Sequence, residues 1–194
     1  MPKFTENEKN LIKASLLAEG EKLFIQHGLK KVTVDDLVNA TGIAKGSFYA
    51  FYTNKEHLYT ELLHRIQQQE FEKLRGYLAA NEHLPPKALF KQYLIWIYKE
   101  MENDPLLLQQ TPDMVQYLHR KVPADILAQY SDDDYAYMAL LKSYGVIFNT
   151  DHSLVDPVLE SLDMAFLDLI SRQVPNRHDV LYILITGVIN QIID

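Results

Sequence analysis

Proline and glycine in this chain fall between the periodic apolar stretches rather than inside them, and that placement restricts the fold to helices. Pro85-Pro86, Asp104-Pro105, Thr111-Pro112, Val122-Pro123, Asp156-Pro157 and Val174-Pro175 each stand at or near an expected helix start. There a missing backbone N–H costs nothing. Thr5-x-x-Glu8, Thr33-x-x-Asp36 and Thr53-x-x-Glu56 add a second kind of start signal. The hydroxyl takes an orphan N–H, and the carboxylate three residues on sits in the positive first turn. Two-residue alternation over a strand length is scarce. The expected class is all-α.

The first helix is expected over 6–27, with Leu16, Leu17, Gly20, Leu23 and Phe24 as its inward stripe and Gly28 as a left-handed stop. Gly20 lowers helix propensity, so close approach of a neighbouring backbone is expected there. A short second helix over 33–41 buries Val34, Leu37, Val38 and Ala40. Gly42-Ile43 turns the chain, a third short helix covers 44–51, and Thr53 caps a long fourth helix. Two short helices joined by a glycine-containing turn match the helix-turn-helix description. In the remainder, helices are expected near 87–103, 105–119, 124–148, 157–173 and 177–193. The division expected is 1–52 for a helix-turn-helix domain and 53–194 for a larger helical body.

The stretch VTVDDLVNATGIAKGSFYAFYTNKEHLYTELL resembles the DNA-binding domain of the TetR family of transcriptional regulators. Thr33, Asp36, Gly42, Ile43, Gly46, Ser47, Phe48, Tyr49, Asn54, Lys55, Glu56 and Leu58 fit the family pattern, as do Leu23, Phe24 and Gly28 upstream. The match covers about 45 residues and keeps turn, recognition helix and following cap in register. Three positions depart from it. Ala44 stands where a capping hydroxyl is usual, leaving that end weaker or capped by Thr41. Phe51 and Tyr52 exchange the usual order of aromatics, so Tyr52 becomes the candidate for a phosphate contact.

The resemblance implies a homodimer bound to a pseudo-palindromic, double-stranded DNA operator, most simply a repressor released by a small-molecule effector. On the recognition segment, Lys45 suits guanine acceptors or phosphate, and Ser47 and Tyr49 suit phosphate oxygens, with a thymine methyl as the second option for Tyr49. Gly46 removes a side chain where a groove wall would press. Lys55 and Thr33, each at a helix start, are candidate anion contacts. Taken singly, Lys45, Ser47 and Lys55 also read as ordinary surface residues.

In the body, Tyr93, Trp96, Glu100, Met114, Tyr117, Tyr137 and Tyr144 form the candidate effector set. Apolar area with a few polar tips suits an apolar or aromatic ligand, and Glu100, if buried, needs a partner. The same aromatics also read as plain core. The last helix is apolar almost all round and must be covered on more than one side. Leu162, Phe166, Leu169, Leu181, Leu184, Val188 and Ile192 are the expected dimer contacts, with Gly187 letting backbones approach.

Composition narrows the classes. There is no cysteine, which excludes disulfides, thiol nucleophiles and cysteine-held zinc. The net charge is −7, yet residues 1–60 carry eight lysines against seven acids. A near-neutral head on an acidic body is compatible with local phosphate contacts. The N-terminal ten residues lack the apolar core of a secretory signal, and the apolar run 180–193 is too short and interrupted to span a bilayer, so a soluble, cytoplasmic protein is expected. No phosphate-loop or nucleophile-elbow motif occurs, and His57, Glu61 and His64 supply only half of a di-metal pattern. The acidic run Ser131-Asp132-Asp133-Asp134 lacks the glycine and terminal Glu of a calcium loop. No enzyme, cofactor or metal is expected. Two other readings stay open: a helix-turn-helix protein without an effector, acting through protein partners or as an architectural DNA binder, and a helical enzyme.

Overall fold

The computed structural model describes residues 4–129 and 133–193. Ten α-helices, α1 to α10, run through them, with no strand among the described residues. The chain divides into two compact units. The first comprises residues up to Gln67 together with Pro112–Ser131, and the second comprises Gln68–Thr111 and Asp132–Asp194.

In the first unit α1 (Glu6–His27) starts on a complete capping box between Thr5 and Glu8 and ends at Gly28, whose φ is +78°. Leu16, Leu17, Gly20 and Phe24 face inward as the periodicity requires. The crowding at Gly20 comes from side chains rather than from a backbone. A Cβ there would lie 3.1 Å from Leu58 Cδ2 and 3.5 Å from Leu37 Cδ2. α2 (Val34–Thr41) packs on α1 and buries Leu37 and Val38, while Ala40 is exposed. Gly42 is left-handed at φ +71°, and α3 (Lys45–Phe48) follows, shorter than expected and continued by turn residues.

Two expected caps move. Thr41 donates back to the Leu37 carbonyl at 2.9 Å, so it does not cap α3, and Ala44 leaves that end without a side-chain cap. α4 (Lys55–Ala80) begins one residue later than a Thr53 cap requires, and Asn54 Oδ1 accepts the His57 N–H at 2.8 Å. The register shift turns Glu56 away from a capping role. The first unit also holds α6 (Pro112–Lys121) and α7 (Ala124–Ala128).

The second unit contains α5 (Pro86–Met101), α8 (Asp133–Ser143), α9 (His152–Ser171) and α10 (Arg177–Ile192). α10 packs on α5 and α9, and the core runs through Leu89, Phe90, Leu162, Phe166, Ile185 and Ile189. Three expected helices are redrawn. Asp104 Oδ1 takes the N–H groups of Leu106 and Leu107, which tightens that segment into a 3₁₀ turn (Leu107–Gln109), and the helix proper starts at Pro112. The stretch 124–148 breaks into α7 and α8, and the turn after α8 uses Gly145 at φ +77°. α9 starts at His152, because Asp151 caps the Ser153 N–H at 3.0 Å, and Pro157 is carried inside the helix. Of the acidic run, Ser131 and Asp132 lie outside the described residues. No described helix is long and apolar enough to cross a membrane.

Candidate functional site

Four residues form α3, and only Phe48 among them is buried. A helix that short contributes little to the core, so the rest of its surface faces outward. Lys45, Gly46 and Tyr49 are exposed and Ser47 is half-buried. Phe48 is fully buried and receives the edge of the Tyr49 ring at 5.5 Å, which holds Tyr49 against the helix while leaving it 53% exposed. Lys45 Nζ lies 2.9 Å from Asp35 Oδ2. That carboxylate, hydrogen-bonded to it, raises the pKa of the ammonium. A Cβ placed on Gly46 would meet nothing within 4 Å. No intramolecular crowding therefore calls for glycine at that position.

Thr33, Tyr52 and Lys55 are placed differently from expectation. Thr33 is exposed, but its hydroxyl accepts the Asp36 N–H at 3.2 Å and lies 2.7 Å from Asp36 Oδ2, closing the α2 capping box. Those hydrogen bonds to the Thr33 hydroxyl and N–H hold the Asp36 carboxyl below its usual range. Tyr52 is only 1% exposed, packed between Phe48 at 5.8 Å and the edge of His57 at 5.2 Å, so it presents no hydroxyl to a phosphate. Burial there also lowers the His57 pKa. Lys55 sends its ammonium to three backbone carbonyls, those of Leu29 at 2.7 Å, Lys30 at 3.1 Å and Val32 at 2.6 Å. It clamps the α1–α2 loop instead of offering a free charge.

The expected effector set is not one cluster. Met114 and Tyr117 belong to the first unit, and the other five to the second. In the second unit Tyr93 and Tyr137 share a 2.6 Å hydroxyl contact, Trp96 stacks on Tyr77 at 4.9 Å, and Phe71 lies 5.7 Å from Tyr137. Burial drives the Tyr93 phenol strongly upward and pushes Tyr137 up to about 12. Tyr144 is half-buried against the same core. Glu100 is exposed, so it is not the buried acid that the α5 stripe suggested. The acid that does lie near this cluster is Glu70. It pairs with Lys73 at 2.8 Å, while its Oε2 is buried without a hydrogen bond among the described residues. Sequence spacing gave no signal for it, because Glu70 sits on α4 among Gln and Glu neighbours.

Leu162, Phe166, Leu169, Leu181 and Ile192 are buried inside their own protomer, so they serve as core rather than as contacts. Leu184 is exposed and Val188 half-buried. The outward stripe of α10 is Val180, Ile183, Leu184 and Gly187, spaced as one helical face, with Ile183 68% exposed. Among the described residues no cluster of His, Cys, Asp or Glu could hold a metal ion.

Residues 16–62 match the family model of bacterial regulatory proteins, tetR family. An uncharacterised HTH-type transcriptional regulator, YhgD of Bacillus subtilis, is 27% identical over 62% of this chain and 68% of its own length. Other curated relatives, all HTH-type regulators or operon repressors by name, are spanned over 35–58% of their length. A TetR-family transcriptional regulator from Pectobacterium atrosepticum superposes with a TM-score of 0.65 at 19% identity, over 95% of this chain and 94% of that one. RolR in complex with resorcinol superposes at 0.58 with 14% identity, over 97% and 90%. The recognition segment lies inside the matched region, and the fold of the solved regulators extends along nearly the whole chain. The chain belongs to the TetR family of helix-turn-helix transcriptional regulators.

Proposed function

We propose that this protein is a homodimeric repressor that binds a pseudo-palindromic operator through α3 and is released by a small-molecule effector. The observation that carries the reading is the outer side of α3. Lys45, Ser47 and Tyr49 surround a glycine whose missing side chain has open space in front of it. Lysine and hydroxyl donors suit base edges and phosphate oxygens, and a bare backbone lets a groove wall approach. Lys45 exchanges Asp35 for DNA on binding. Both partners are exposed, so that exchange is inexpensive.

The second copy covers the α10 stripe of Val180, Ile183, Leu184 and Gly187, a run of apolar surface that water solvates poorly. Two-fold pairing then sets half-sites about one helical turn apart, or a multiple of that. For the effector, the aromatic cluster around Tyr93, Trp96 and Tyr137 offers apolar area, and Glu70 offers an acceptor for a polar or cationic group. RolR, crystallised with a small phenol, is a precedent for an aromatic effector on this fold. The reading without an effector draws on the same cluster, since the Tyr93 and Tyr137 hydroxyls already satisfy each other.

Selection of bound sequences from a random duplex pool at fixed salt tests the DNA reading. An enriched inverted repeat supports it, and weak binding with no preferred sequence overturns it.

A further inference from the structure

Residues outside the helix-turn-helix carry a second surface with the charge of a DNA partner. Tyr117 of α6 has one lysine over its ring from each of two elements: Lys30 Nζ at 5.4 Å and Lys121 Nζ at 6.0 Å from the centroid. Lys31, Arg120 and His119 are exposed beside them in sequence. Most other lysines of this unit are neutralised by carboxylates: Lys9 by Glu6, Lys13 by Glu61, Lys22 by Glu19 and Lys45 by Asp35. Among the described residues Lys30, Lys31, Lys121 and Arg120 form no such pair.

Basic residues in the last turn of a helix complement its dipole, which accounts for His119, Arg120 and Lys121 on their own. It does not account for Lys30, which comes from the α1–α2 loop. Three contacts fix the two sources together. Tyr117 donates to Glu56 Oε1 at 2.7 Å, Asn54 Nδ2 donates to the Lys121 carbonyl at 2.9 Å, and Lys55 grips the carbonyl of Lys30 at 3.1 Å. Asn54, Lys55 and Glu56 are the start of α4, and Thr33 at the start of α2 follows Lys31 by two residues. The unpaired cations therefore adjoin the two helix starts that lie beside the recognition segment in the chain.

We infer that Lys30 and Lys121, held on either side of Tyr117, bind backbone phosphates of the duplex flanking each operator half-site. The inference rests on the DNA reading above and extends the interface to α6. A duplex presents a negative charge every ~1.7 Å of axis, so two neighbouring cations both find phosphates without any sequence requirement.

The test is the salt dependence of binding for the Lys30→Gln/Lys121→Gln double variant, on a selected operator carrying about one helical turn of flank and on the same operator trimmed to its half-sites. Lys142→Gln, an exposed charge on α8 in the other unit, is the control for net charge. On the long duplex the double variant is expected to lower the slope of log affinity against log salt by about 1.8, at ~0.9 per lost contact. On the trimmed duplex its slope should match that of the unmodified protein. An unchanged slope on the long duplex, or a fall no larger than that of Lys142→Gln, overturns the inference. If the flank-dependent slope change occurs on duplexes for which the protein shows no sequence preference, the surface stands and the operator reading falls. Absence of any duplex binding removes both.

Discussion

The Tyr117 hydroxyl donates to Glu56 Oε1 at 2.7 Å, across sixty-one residues of sequence, and the acceptor is only 6% exposed. A buried carboxylate without a donor would carry its full desolvation cost, so this contact ties α6 to the first turn of α4. Tyr117→Phe keeps the ring and removes the donor. It should destabilise the protein by about 1–3 kcal/mol, read by chemical denaturation. Tyr117→Phe combined with Glu56→Gln should lose less than the two single variants added together.

The same phenol gives a pH prediction. Burial, and then the hydrogen bond and charge of Glu56, push the Tyr117 pKa up to about 12, above the ordinary 10.0. Its folded-state pKa is raised, so its contribution is intact below 10 and is lost as pH rises toward 12. Stability measured across that interval should fall less steeply in Tyr117→Phe than in the unmodified protein. Equal slopes would mean that the phenol does not titrate there.

Lys55 separates a structural lysine from a phosphate-binding one. Its three bonds to loop carbonyls predict that Lys55→Ala costs about 1.5–3 kcal/mol of stability, the range for hydrogen bonds to a charged group. The salt slope of DNA binding should stay where it was. A stable Lys55→Ala protein with a flattened slope would return Lys55 to the DNA contact that its helix-start position first suggested.

How much of this was legible in the sequence follows from how local each cause is. α1 was readable to the residue, because Thr5, Glu8 and Gly28 are local signals and Leu16, Leu17 and Phe24 repeat at helical spacing. The start of α4 was misread, because Thr53 and Asn54 are both competent caps and only packing chooses between them. Tyr52 and Phe51 could not be sorted from spacing alone, since the turn after α3 swings the one inward and the other to the edge. The α10 face failed for a related reason. A helix apolar all round does not say which side its own protomer takes, so Leu181 and Ile192 were assigned to the partner although Val180 and Ile183 face outward. Asp35, Glu56 and Glu70 were invisible as partners, because nothing in the sequence brings Asp35 to Lys45, Glu56 to Tyr117 or Glu70 to the tyrosines.

Ile183 gives the test of the dimer face. An aspartate at this exposed position disturbs no core contact, so Ile183→Asp should fold with an unchanged melting temperature at high dilution. In sedimentation at micromolar concentration the unmodified protein should run as a dimer and Ile183→Asp as a monomer. A dimer from both would move the interface elsewhere.

Gly46→Ala distinguishes fold from function at one atom. The new Cβ meets nothing in the protomer, and alanine favours a helix over glycine by up to ~1 kcal/mol, so stability should hold or rise. Operator affinity should fall by tenfold or more, about 1.4 kcal/mol, if a groove wall occupies that space. Unchanged affinity would mean that the glycine faces only water.

The account centres on the outer side of α3 reading base pairs, and Lys45 is its most direct probe. Sequence selection from a random duplex pool should be run at one salt concentration on the unmodified protein and on Lys45→Ala. The first should enrich an inverted repeat, and the second the same repeat with its preference lost at one symmetry-related base pair in each half. Identical repeats from both proteins, or no enrichment from either, would contradict it.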